Sequence, residues 1–501
     1  MPRRLRHRTL PGWREPDAVF TALYAESTHV VWLDGGADAS SGASVLAVAN
    51  PGSEFVTADA LRGTVARSLP LADGAVRAPV TTSGSIFEVL GRVLGEGRPV
   101  AGASALALDE ADAFADGSLP LGWFGWFGYE LGAQLNEVAI AEAETPDAAF
   151  LFIDRALVFD HGARSMRLVW LVDGDGDGDD VEDAAAPVAG WDEELARAVD
   201  GLDASSVPGD SAAQVTADAR RAVGSARWRH DPERYTRLIA ECQAAIVRGD
   251  AYQLCLTNRI DVDVHPDPAT AYLALRASSP SHHGGYVRFG DIALLSASPE
   301  QFLRVDSGGF VTTKPMKGTR PRSGDPVADE ALRRELVESE KERAENLMIV
   351  DLMRNDLGRI AELGTVEVPW LLEVEQYAHV HQLVSTVTAR LRHPLTALDV
   401  VESAFPAGSM TGAPKRSAMT ILHELEQGPR GVYSGAFGYL GVDGSADLAM
   451  VIRSIVLTPR GASIGTGGGI TALSVAAEEI EETRVKARAL LAVLGAGRDS
   501  E

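Results

Sequence analysis

Apolar positions in the C-terminal half of the chain recur with helical spacing. In DPERYTRLIAECQAAIVRGD these are Tyr235, Leu238, Ile239, Cys242 and Ile246, and the spacing predicts a helix with one buried face. The Asp-Pro pair before it is typical of a helix start, and the Gly-Asp pair after it is typical of a helix end. The next segment, AYQLCLTNRI, reads as a strand.

Other segments give the remaining elements. HVVWLDGG predicts a strand that runs into a turn, and AFLFIDRALVFDH and SMRLVWLVDG predict a hairpin-like pair of buried strands. One long helix is expected for DEALRRELVESEKERAENLMIVDLMRNDLGRI, and a final helix for VAAEEIEETRVKARALLAVLG. Because LPLGWFGWFGYELG places aromatic residues between glycines, backbones should approach each other closely there.

Composition narrows the possible partners. The chain has 501 residues and a formal net charge of -25, which argues against nucleic acid or an anionic membrane as a partner. Its two cysteines, Cys242 and Cys255, fit a reduced chain, and no segment reads as a membrane span or a secretory leader. We therefore expect a cytoplasmic protein.

A change in composition divides the chain. Residues 173–225 are rich in Asp, Ala and Gly, so we expect an acidic flexible loop there. The run DGDGDGDD resembles the start of an EF-hand loop, but the position that needs a glutamate is Ala184, which favours a solvated loop. We predict an N-terminal region, 1–225, and a C-terminal domain, 226–497.

Two predicted helices carry carboxylates three residues apart, which places each pair on one helix face. The pairs are Glu342 with Glu345 and Glu479 with Glu482. Such pairs on facing helices could hold Mg2+, a cation that prefers oxygen ligands. The spacing alone fits solvated helix faces equally, and these are far more common.

Positive charge is concentrated in TTKPMKGTRPRSGD, which holds Lys314, Lys317, Arg320 and Arg322. The cluster could attract an anionic substrate, and its cations could also lower the pKa of one lysine among them. Arg453 lies in the apolar run LAMVIRSIVL. Either a buried salt bridge or a substrate carboxylate would satisfy a cation there.

The motifs together resemble the chorismate-utilising enzymes. The resemblance covers residues 230 to 492 strongly and the N-terminal part weakly. The segments that carry it, in family order, are GDAYQLCLTNR, SASPEQF, KPMKGTRPR, ENLMIVDLMRNDLGRI, VHQLVSTV, FPAGSMTGAPK, GAFGYLG, VIRS and TGGGI. The resemblance implies an α+β fold like that of anthranilate synthase component I, with two antiparallel β-sheets packed as a sandwich and surrounding helices.

The resemblance also assigns roles to residues. It implies Mg2+ bound at Glu345 and Glu482 with support from Glu342 and Glu479, a nucleophile at Lys317 and a general acid at Glu300. Arg453 and Tyr439 would bind the pyruvyl carboxylate of chorismate. The other residues assigned to the substrate site are Gln253, Thr411, Lys415, Gly467, Gly468 and Gly469.

Two positions select a branch of the family. Gln253 replaces the lysine base of isochorismate and salicylate synthases, and Lys317 stands where anthranilate synthases carry alanine in P-I-A-G-T. The resemblance is therefore to aminodeoxychorismate synthase component I, which replaces the C4 hydroxyl of chorismate by an amine for 4-aminobenzoate and folate synthesis. Without a G-x-C-x-G elbow, ammonia should come from a separate glutamine amidotransferase.

Alternatives and departures remain at this point. Anthranilate synthase component I is the alternative enzyme, and a non-catalytic subunit that kept the fold is the alternative of another class. Gln382 occupies a position that is commonly histidine in the family, although His381 precedes it, and Leu473 replaces a common acid. Neither change affects the proposed lysine, arginine or metal ligands.

Overall fold

A computed structural model describes residues 3–50, 52–69, 78–96, 120–173, 190–202, 225–377 and 380–496. The helices are α1 Pro16–Leu23, α2 Ile86–Glu96, α3 Tyr129–Leu135, α4 Trp191–Asp200, α5 Pro232–Arg248, α6 Pro268–Ser278, α7 Pro326–Glu338, α8 Glu340–Gly358, α9 Ala397–Ala404, α10 Lys415–Glu426 and α11 Ala476–Val493. A short 3₁₀ helix covers Gly408–Met410.

The strands make up the rest of the regular structure. They are β1 Arg3–Leu10, β2 His29–Asp34, β3 Ala43–Val48, β4 Phe55–Asp59, β5 Thr64–Ser68, β6 Val80–Ser83, β7 Gly122–Phe127, β8 Ala148–Ile153, β9 Arg155–Asp160, β10 Ser165–Asp173, β11 Ala226–Trp228, β12 Gln253–Val262, β13 His283–Phe289, β14 Ile292–Ser298, β15 Gln301–Val305, β16 Phe310–Thr313, β17 Met316–Pro321, β18 Glu367–Gln376, β19 Val380–Arg390, β20 Gly412–Ala413, β21 Ala436–Gly441, β22 Ala446–Met450, β23 Ser454–Thr458 and β24 Gly461–Ile470.

The strands form two antiparallel sheets. The first has the order β1-β10-β9-β3-β2-β13-β14-β23-β24-β12-β11, with β20 beside β12. The second has the order β17-β19-β16-β15-β22-β21-β7-β8-β4-β5-β6, with β18 beside β19. The predicted α+β fold with two antiparallel sheets is confirmed. Both sheets take strands from each side of residue 225, and the division into two domains stays a prediction.

Alternation along the strands explains the sandwich. In β2, Val31 lies in the apolar core shared by the two sheets, whereas Val30 and Trp32 lie in the core on the opposite face of the first sheet. In β3, Leu46 likewise contributes to this second core while its neighbours contribute to the first. Since strand side chains alternate between faces, the first sheet is covered on one face by the second sheet and on the other by helices.

Close backbone contact at the aromatic-glycine segment is confirmed. A Cβ added to Gly125 in β7 would lie 1.8 Å from the carbonyl oxygen of Ala149 in β8. Gly438 of β21 is the cross-strand partner of Gly125 and would meet Asp447 O at 2.0 Å. The glycines therefore let four neighbouring strands, β22, β21, β7 and β8, approach closely at this point.

Three of the elements expected from the sequence differ from those in the structure. The single helix predicted after residue 328 is two helices, because the Ser339 hydroxyl accepts a hydrogen bond from Glu342 N and starts α8 anew. The segment predicted as a hairpin-like pair gives three strands, β8 to β10. Most of the predicted loop, including nearly all of the EF-hand-like run, lies outside the described residues, but Trp191–Asp200 within it is helical.

None of the helices that the structure describes is long and apolar enough to cross a membrane.

A buried ion pair joins α10 to α8. Lys415 Nζ lies 2.7 Å from Asp356 Oδ2 and donates a second hydrogen bond of 2.7 Å to the carbonyl of Ala404. Both charged side chains are buried, so each depends on the other to offset its loss of hydration. The pair stabilises the turn that leads into α10.

We predict that Lys415→Met lowers the free energy of unfolding by about 3–5 kcal/mol, because it leaves the Asp356 carboxylate buried without its cation. Lys415→Met/Asp356→Leu should recover most of that loss. The adjacent Arg416→Met, which breaks only an exposed pair with Glu137, is the matched control and should cost less than about 1 kcal/mol. Urea denaturation measures all three, and an equal effect of Lys415→Met and Arg416→Met would contradict the assignment.

Candidate active site

One cavity of about 690 Å³ collects most of the residues singled out in the sequence. It lies between the ends of both sheets and the helices α8 and α11. The predicted residues that line it are Glu300, Lys317, Glu342, Glu345, Arg453, Gly467, Gly468, Gly469, Glu479 and Glu482. Residues from positions 300 to 482 therefore form one site.

A bulge in the edge strand β17 directs Lys317 into the cavity. The register between β17 and β19 shifts between Lys317 and Thr319, and Gly318 between them has φ +79°. This left-handed conformation favours glycine, and a Cβ there would lie 3.0 Å from the Glu342 carboxyl group. The bulge brings strand and helix together, with Lys317 Nζ 4.0 Å from Glu345 Oε2.

The glycine run of β24 forms the opposite wall. A Cβ on Gly468 would lie 2.8 Å from Glu479 Oε2, and one on Gly469 would lie 2.2 Å from Gln253 Nε2. Glycine is therefore required for the carboxylates to approach this backbone. One edge of β24 is paired with β23 only as far as Ile464. Past Ile464, Lys486 Nζ donates a hydrogen bond of 2.8 Å to Gly467 O. That edge of β24 faces the cavity.

Arg453 lies in the short connection between β22 and β23, not inside a strand as the apolar run suggested. Its backbone has φ +51°, an uncommon conformation for a residue with a side chain. The side chain is exposed to the cavity, and within the described residues it forms no ion pair. The buried salt bridge considered from the sequence is therefore not what satisfies Arg453.

Each carboxylate of the two predicted metal pairs has a cation beside it. Glu345 lies near Lys317, at 4.0 Å, and Arg320 lies 3.8 Å from Glu342. Lys341 of α8 lies 3.3 Å from Glu479 of α11, and within α11 Lys486 lies 2.6 Å from Glu482. No three acidic, histidine or cysteine side chains in the described ranges converge closely enough to hold a metal ion.

The donor set nevertheless fits a hard cation. Glu345 Oε1 is buried and has no hydrogen-bond partner, which leaves one carboxylate oxygen available to a ligand. Mg2+ is commonly held by one or two carboxylates together with water and an anionic substrate. Four glutamates on two helices around one cavity can meet that need if the lysines beside them move aside.

Burial gives Glu300 an unusual pKa. Glu300 follows β14 in the turn Ser298-Pro299-Glu300, and burial raises the pKa of its carboxyl group to about 7, although Lys317 and a 3.1 Å hydrogen bond from Ser409 lower it in part. A carboxyl group with this pKa can hold a proton at neutral pH and give it up. Such a carboxyl group is suited to general acid catalysis, and that role for Glu300 stays a prediction.

The expectation that neighbouring cations lower the pKa of Lys317 is wrong. Burial opposes its charge, but the carboxylates of Glu345, Glu300 and Glu482 favour it, so the pKa of Lys317 is raised. The other cations of the segment pair with acids elsewhere. Their partners are Glu375 for Lys314, Glu335 for Arg320 and Asp329 for Arg322.

Four residues assigned to the substrate site do not line the cavity. Tyr439 in β21 stacks on Phe124 of β7 with ring centres 5.7 Å apart. Thr411 is fully buried and donates its hydroxyl to Ala407 O. Lys415 is held by Asp356. Gln253 lies behind Gly469, with its side-chain oxygen buried and unpartnered.

Other residues, which the sequence analysis did not assign to the substrate site, line the cavity. Tyr433, two residues before the GAFGYLG segment that contains Tyr439, lines the cavity, as do Ser409 and Met410 just before Thr411. Gln382 also lines the cavity, while the ring of His381 is directed to Asp329, with Nε2 3.0 Å from Oδ1. The signal for Tyr433 was present in GVYSGAFGYL, but the motif alone does not show which tyrosine faces the cavity.

Comparisons with known proteins identify the family of this chain. The model of the chorismate binding enzyme family matches residues 85–492. An aminodeoxychorismate synthase from Streptomyces griseus is 42% identical over 98% of this chain, which spans 65% of that relative. Anthranilate synthase component 1 from Streptomyces coelicolor is 39% identical over 74% of this chain and 72% of its own length.

A solved structure shows the same architecture. Anthranilate synthase component I from Streptococcus pneumoniae superposes with a TM-score of 0.69 at 29% sequence identity, covering 89% of this chain and 91% of that one. The shared fold, the cavity and the family match together show that the chain belongs to the chorismate binding enzyme family.

Proposed function

We propose that this chain is the chorismate-aminating component of an aminodeoxychorismate synthase. It exchanges the C4 hydroxyl of chorismate for an amine and leaves the pyruvyl group in place. The observation that carries the proposal is the position of Lys317, whose ammonium group lies inside the cavity beside Glu300 and Glu345. The name of the Streptomyces griseus relative supports the same activity.

The cavity suits a small dicarboxylate. Arg453 offers a guanidinium group with no ion pair among the described residues, and such a group can bind a carboxylate through two parallel hydrogen bonds. The glycine edge of β24 can approach the same carboxylate because no side chain intervenes. These groups would fix the pyruvyl end of chorismate and direct its ring toward Lys317.

Lys317 and Glu300 can share the chemistry. An unperturbed lysine costs roughly 4.6 kcal/mol to neutralise at pH 7, and the surrounding carboxylates add to that cost. In the proposed sequence Glu300 accepts the proton from Lys317, and the amine adds at C2 as the two conjugated ring double bonds shift and the bond from C4 to its hydroxyl breaks. Glu300 then returns the proton to the departing C4 hydroxyl, which leaves as water. Ammonia adds at C4 and expels Lys317.

Glu345 and Glu482 would hold Mg2+, with Glu342 and Glu479 supporting them. When bound, the cation would neutralise the ring carboxylate of chorismate and polarise the ring. The buried, unpartnered Oε1 of Glu345 supports this assignment. Lys341 would keep Glu479 in place, and Arg320 would do the same for Glu342.

Ammonia would come from a separate glutamine amidotransferase, and the complex would act in the cytoplasm. Both cysteines are buried, and burial raises the pKa of each thiol. Since the thiolate is the nucleophile, neither is suited to attack glutamine. This supports delivery of ammonia by a glutamine amidotransferase site outside these 501 residues.

Anthranilate synthase component I is the second candidate, favoured by the Streptomyces coelicolor relative. It would release pyruvate and form an aromatic amine. Product analysis with chorismate, MgCl2 and ammonium chloride separates the two. We expect a non-fluorescent amine that retains the pyruvyl group and yields 4-aminobenzoate when a lyase is added. Fluorescent anthranilate and free pyruvate would refute the proposal, and unreacted chorismate would favour a non-catalytic subunit.

We predict that Lys317→Ala loses most aminodeoxychorismate formation, at least a hundredfold in kcat, because the covalent route needs the amine. Chorismate should still bind, since Arg453 and the glutamates remain. Initial rates with ammonium chloride and calorimetry with chorismate measure the two effects. Lys314→Ala, which removes a cation paired with Glu375 outside the cavity, is the control. A near-normal rate for Lys317→Ala would exclude Lys317 as the nucleophile.

We predict that Glu345→Gln removes the gain in chorismate affinity that Mg2+ provides, by about ten- to a hundredfold, because a ligand charge is lost. Calorimetry with chorismate, with and without MgCl2, measures this independently of turnover. Glu478→Gln changes an exposed carboxylate of α11 that lies outside the cavity and should behave like the unmodified protein. If the Mg2+ effect persists in Glu345→Gln, the metal assignment is wrong.

A further inference from the structure

A buried carboxylate outside the large cavity binds the turn 430–434, which leads from α10 into β21. Glu130 lies in the first turn of α3 and is 3% exposed. Its Oε1 accepts a hydrogen bond of 2.8 Å from Arg430 N, and its Oε2 accepts one of 2.9 Å from Gly431 N. Tyr129 N donates a further bond of 2.9 Å to Gly431 O. Hydrogen bonds in both directions therefore attach α3 to this turn.

The turn supports one wall of the large cavity. The buried Arg430 side chain donates hydrogen bonds of 2.7 Å to Met410 O and 2.9 Å to Cys255 O, and both of these residues line the cavity. Tyr433, also in the turn, lines the cavity and packs against Gly465, where a Cβ would lie 2.0 Å from the tyrosine ring. A shift of the turn would therefore move several parts of this wall together.

Two buried glutamates hold different parts of the turn. Glu426, the last residue of α10, accepts hydrogen bonds of 2.7 and 2.8 Å from the guanidinium group of Arg430. Glu130 instead binds the backbone, and it does so where Gly431 has φ +65°. Because glycine restricts its own backbone so little, the path of the chain through Gly431 depends on the hydrogen bonds that it makes. Glu426 therefore fixes a side chain, and Glu130 fixes the main chain.

We propose that Glu130 is a positioning residue of the active site, whose carboxylate accepts two backbone N–H groups of the turn 430–434 and thereby keeps this wall of the large cavity in place for chorismate. The inference rests on the proposed function, because chorismate binding is its readout. Glu130 does not line the large cavity, so it acts through the turn. A turn that is held only part of the time lowers the fraction of protein that is competent to bind, and the apparent Kd rises in proportion.

The ionisation of Glu130 should control this contact. Burial raises the pKa of its carboxyl group to about 7, and the charge of Asp147 raises it further, although the N–H groups of Arg430 and Gly431 lower it in part. Above this pKa both carboxylate oxygens accept hydrogen bonds. Below it the protonated oxygen becomes a donor and opposes an N–H group. The turn should therefore be held when the pH is above the pKa of Glu130 and released when it is below.

Charged and titratable groups from several elements surround Glu130. They are Tyr129 of α3, His423 and Glu426 of α10, Asp147 before β8, Arg229 after β11 and Arg430 of the turn. A small cavity of about 20 Å³ beside Glu130 has room for about one water molecule, which can supply or accept its proton. Among these groups, Asp147 opposes the ionisation of Glu130 by its negative charge.

Calorimetry with chorismate and MgCl2 at pH 8 and pH 6 tests the proposal, after circular dichroism has shown that each variant is folded. Glu130→Gln keeps the shape of the side chain but resembles the protonated acid, since its amide group donates where an oxygen accepted. We expect its Kd to exceed that of the unmodified protein at least fivefold at pH 8 and less than twofold at pH 6. The ratio at each pH cancels the titration of Glu300, which both proteins share.

Glu137→Gln is the matched control. It makes the same chemical change at an exposed carboxylate just after α3, which pairs with Arg416. Its Kd should equal that of the unmodified protein at both pH values.

Initial rates with ammonium chloride at pH 8 give a second readout. Glu130→Gln should raise the KM for chorismate at least fivefold and leave kcat within threefold, because Lys317 and Glu300 remain. A loss of stability alone would reduce the amount of folded protein, and it would therefore lower the apparent kcat without changing the KM.

An unchanged Kd for Glu130→Gln at pH 8 would refute the positioning role, and an equal increase at both pH values would show a fixed packing effect instead. If Glu130→Gln does not fold, Asp147→Asn keeps both hydrogen bonds of Glu130 and removes a charge that raises its pKa. Asp147→Asn should bind chorismate about twice as tightly as the unmodified protein at pH 6.5 and equally at pH 8. Equal affinity at pH 6.5 would refute the proposal.

Failure of the proposed function gives a different result. In that case the unmodified protein itself would form no amine from chorismate and ammonium chloride, whatever residue stands at position 130. A protein that forms the amine but shows no effect of Glu130→Gln on chorismate binding would refute only the role of Glu130.

Discussion

The feature on which the site depends is a lysine ammonium group enclosed by carboxylates. Lys317 lies 4.0 Å from Glu345, and Glu300 and Glu482 also act on its charge. Burial makes each of these charges costly unless an opposite charge is close. Negative and positive charges in the cavity therefore have to be nearly balanced, and its lining contains six carboxylates and five cations. An anionic substrate that enters the cavity must therefore replace a carboxylate beside one of these cations, and a metal cation must replace a cation beside one of these carboxylates.

Local backbone features place those charges. The bulge at Gly318 sets the direction of Lys317, the helix start at Ser339 sets the rotation of Glu342 and Glu345, and the glycine edge of β24 lets the glutamates come close. A buried network supports the same wall from behind. Arg430 donates hydrogen bonds to the carbonyls of Cys255 and Met410, and both of those residues line the cavity. Strand geometry and buried charge thus act together.

Much of this arrangement could be predicted from the sequence because the signals are local. Asp231 caps α5 as the Asp-Pro start suggested, and the glutamate spacing placed both pairs on helix faces that meet one cavity. Long-range partners could not be predicted. The pKa of Lys317 depends on Glu345, not on its sequence neighbours, whose charges are paired with Glu375, Glu335 and Asp329. Likewise, only the tertiary fold distinguishes Tyr433 from Tyr439.

The most direct test of the central claim is a rapid-mixing experiment read by intact-protein and peptide mass spectrometry. The protein is mixed with chorismate and MgCl2 without ammonia, and ammonium chloride is then added. A covalent adduct on the peptide that contains Lys317 should form, and ammonium should discharge it to aminodeoxychorismate at least as fast as kcat. An adduct that forms or discharges more slowly than kcat, or aminodeoxychorismate made at full rate without any adduct, would contradict the account.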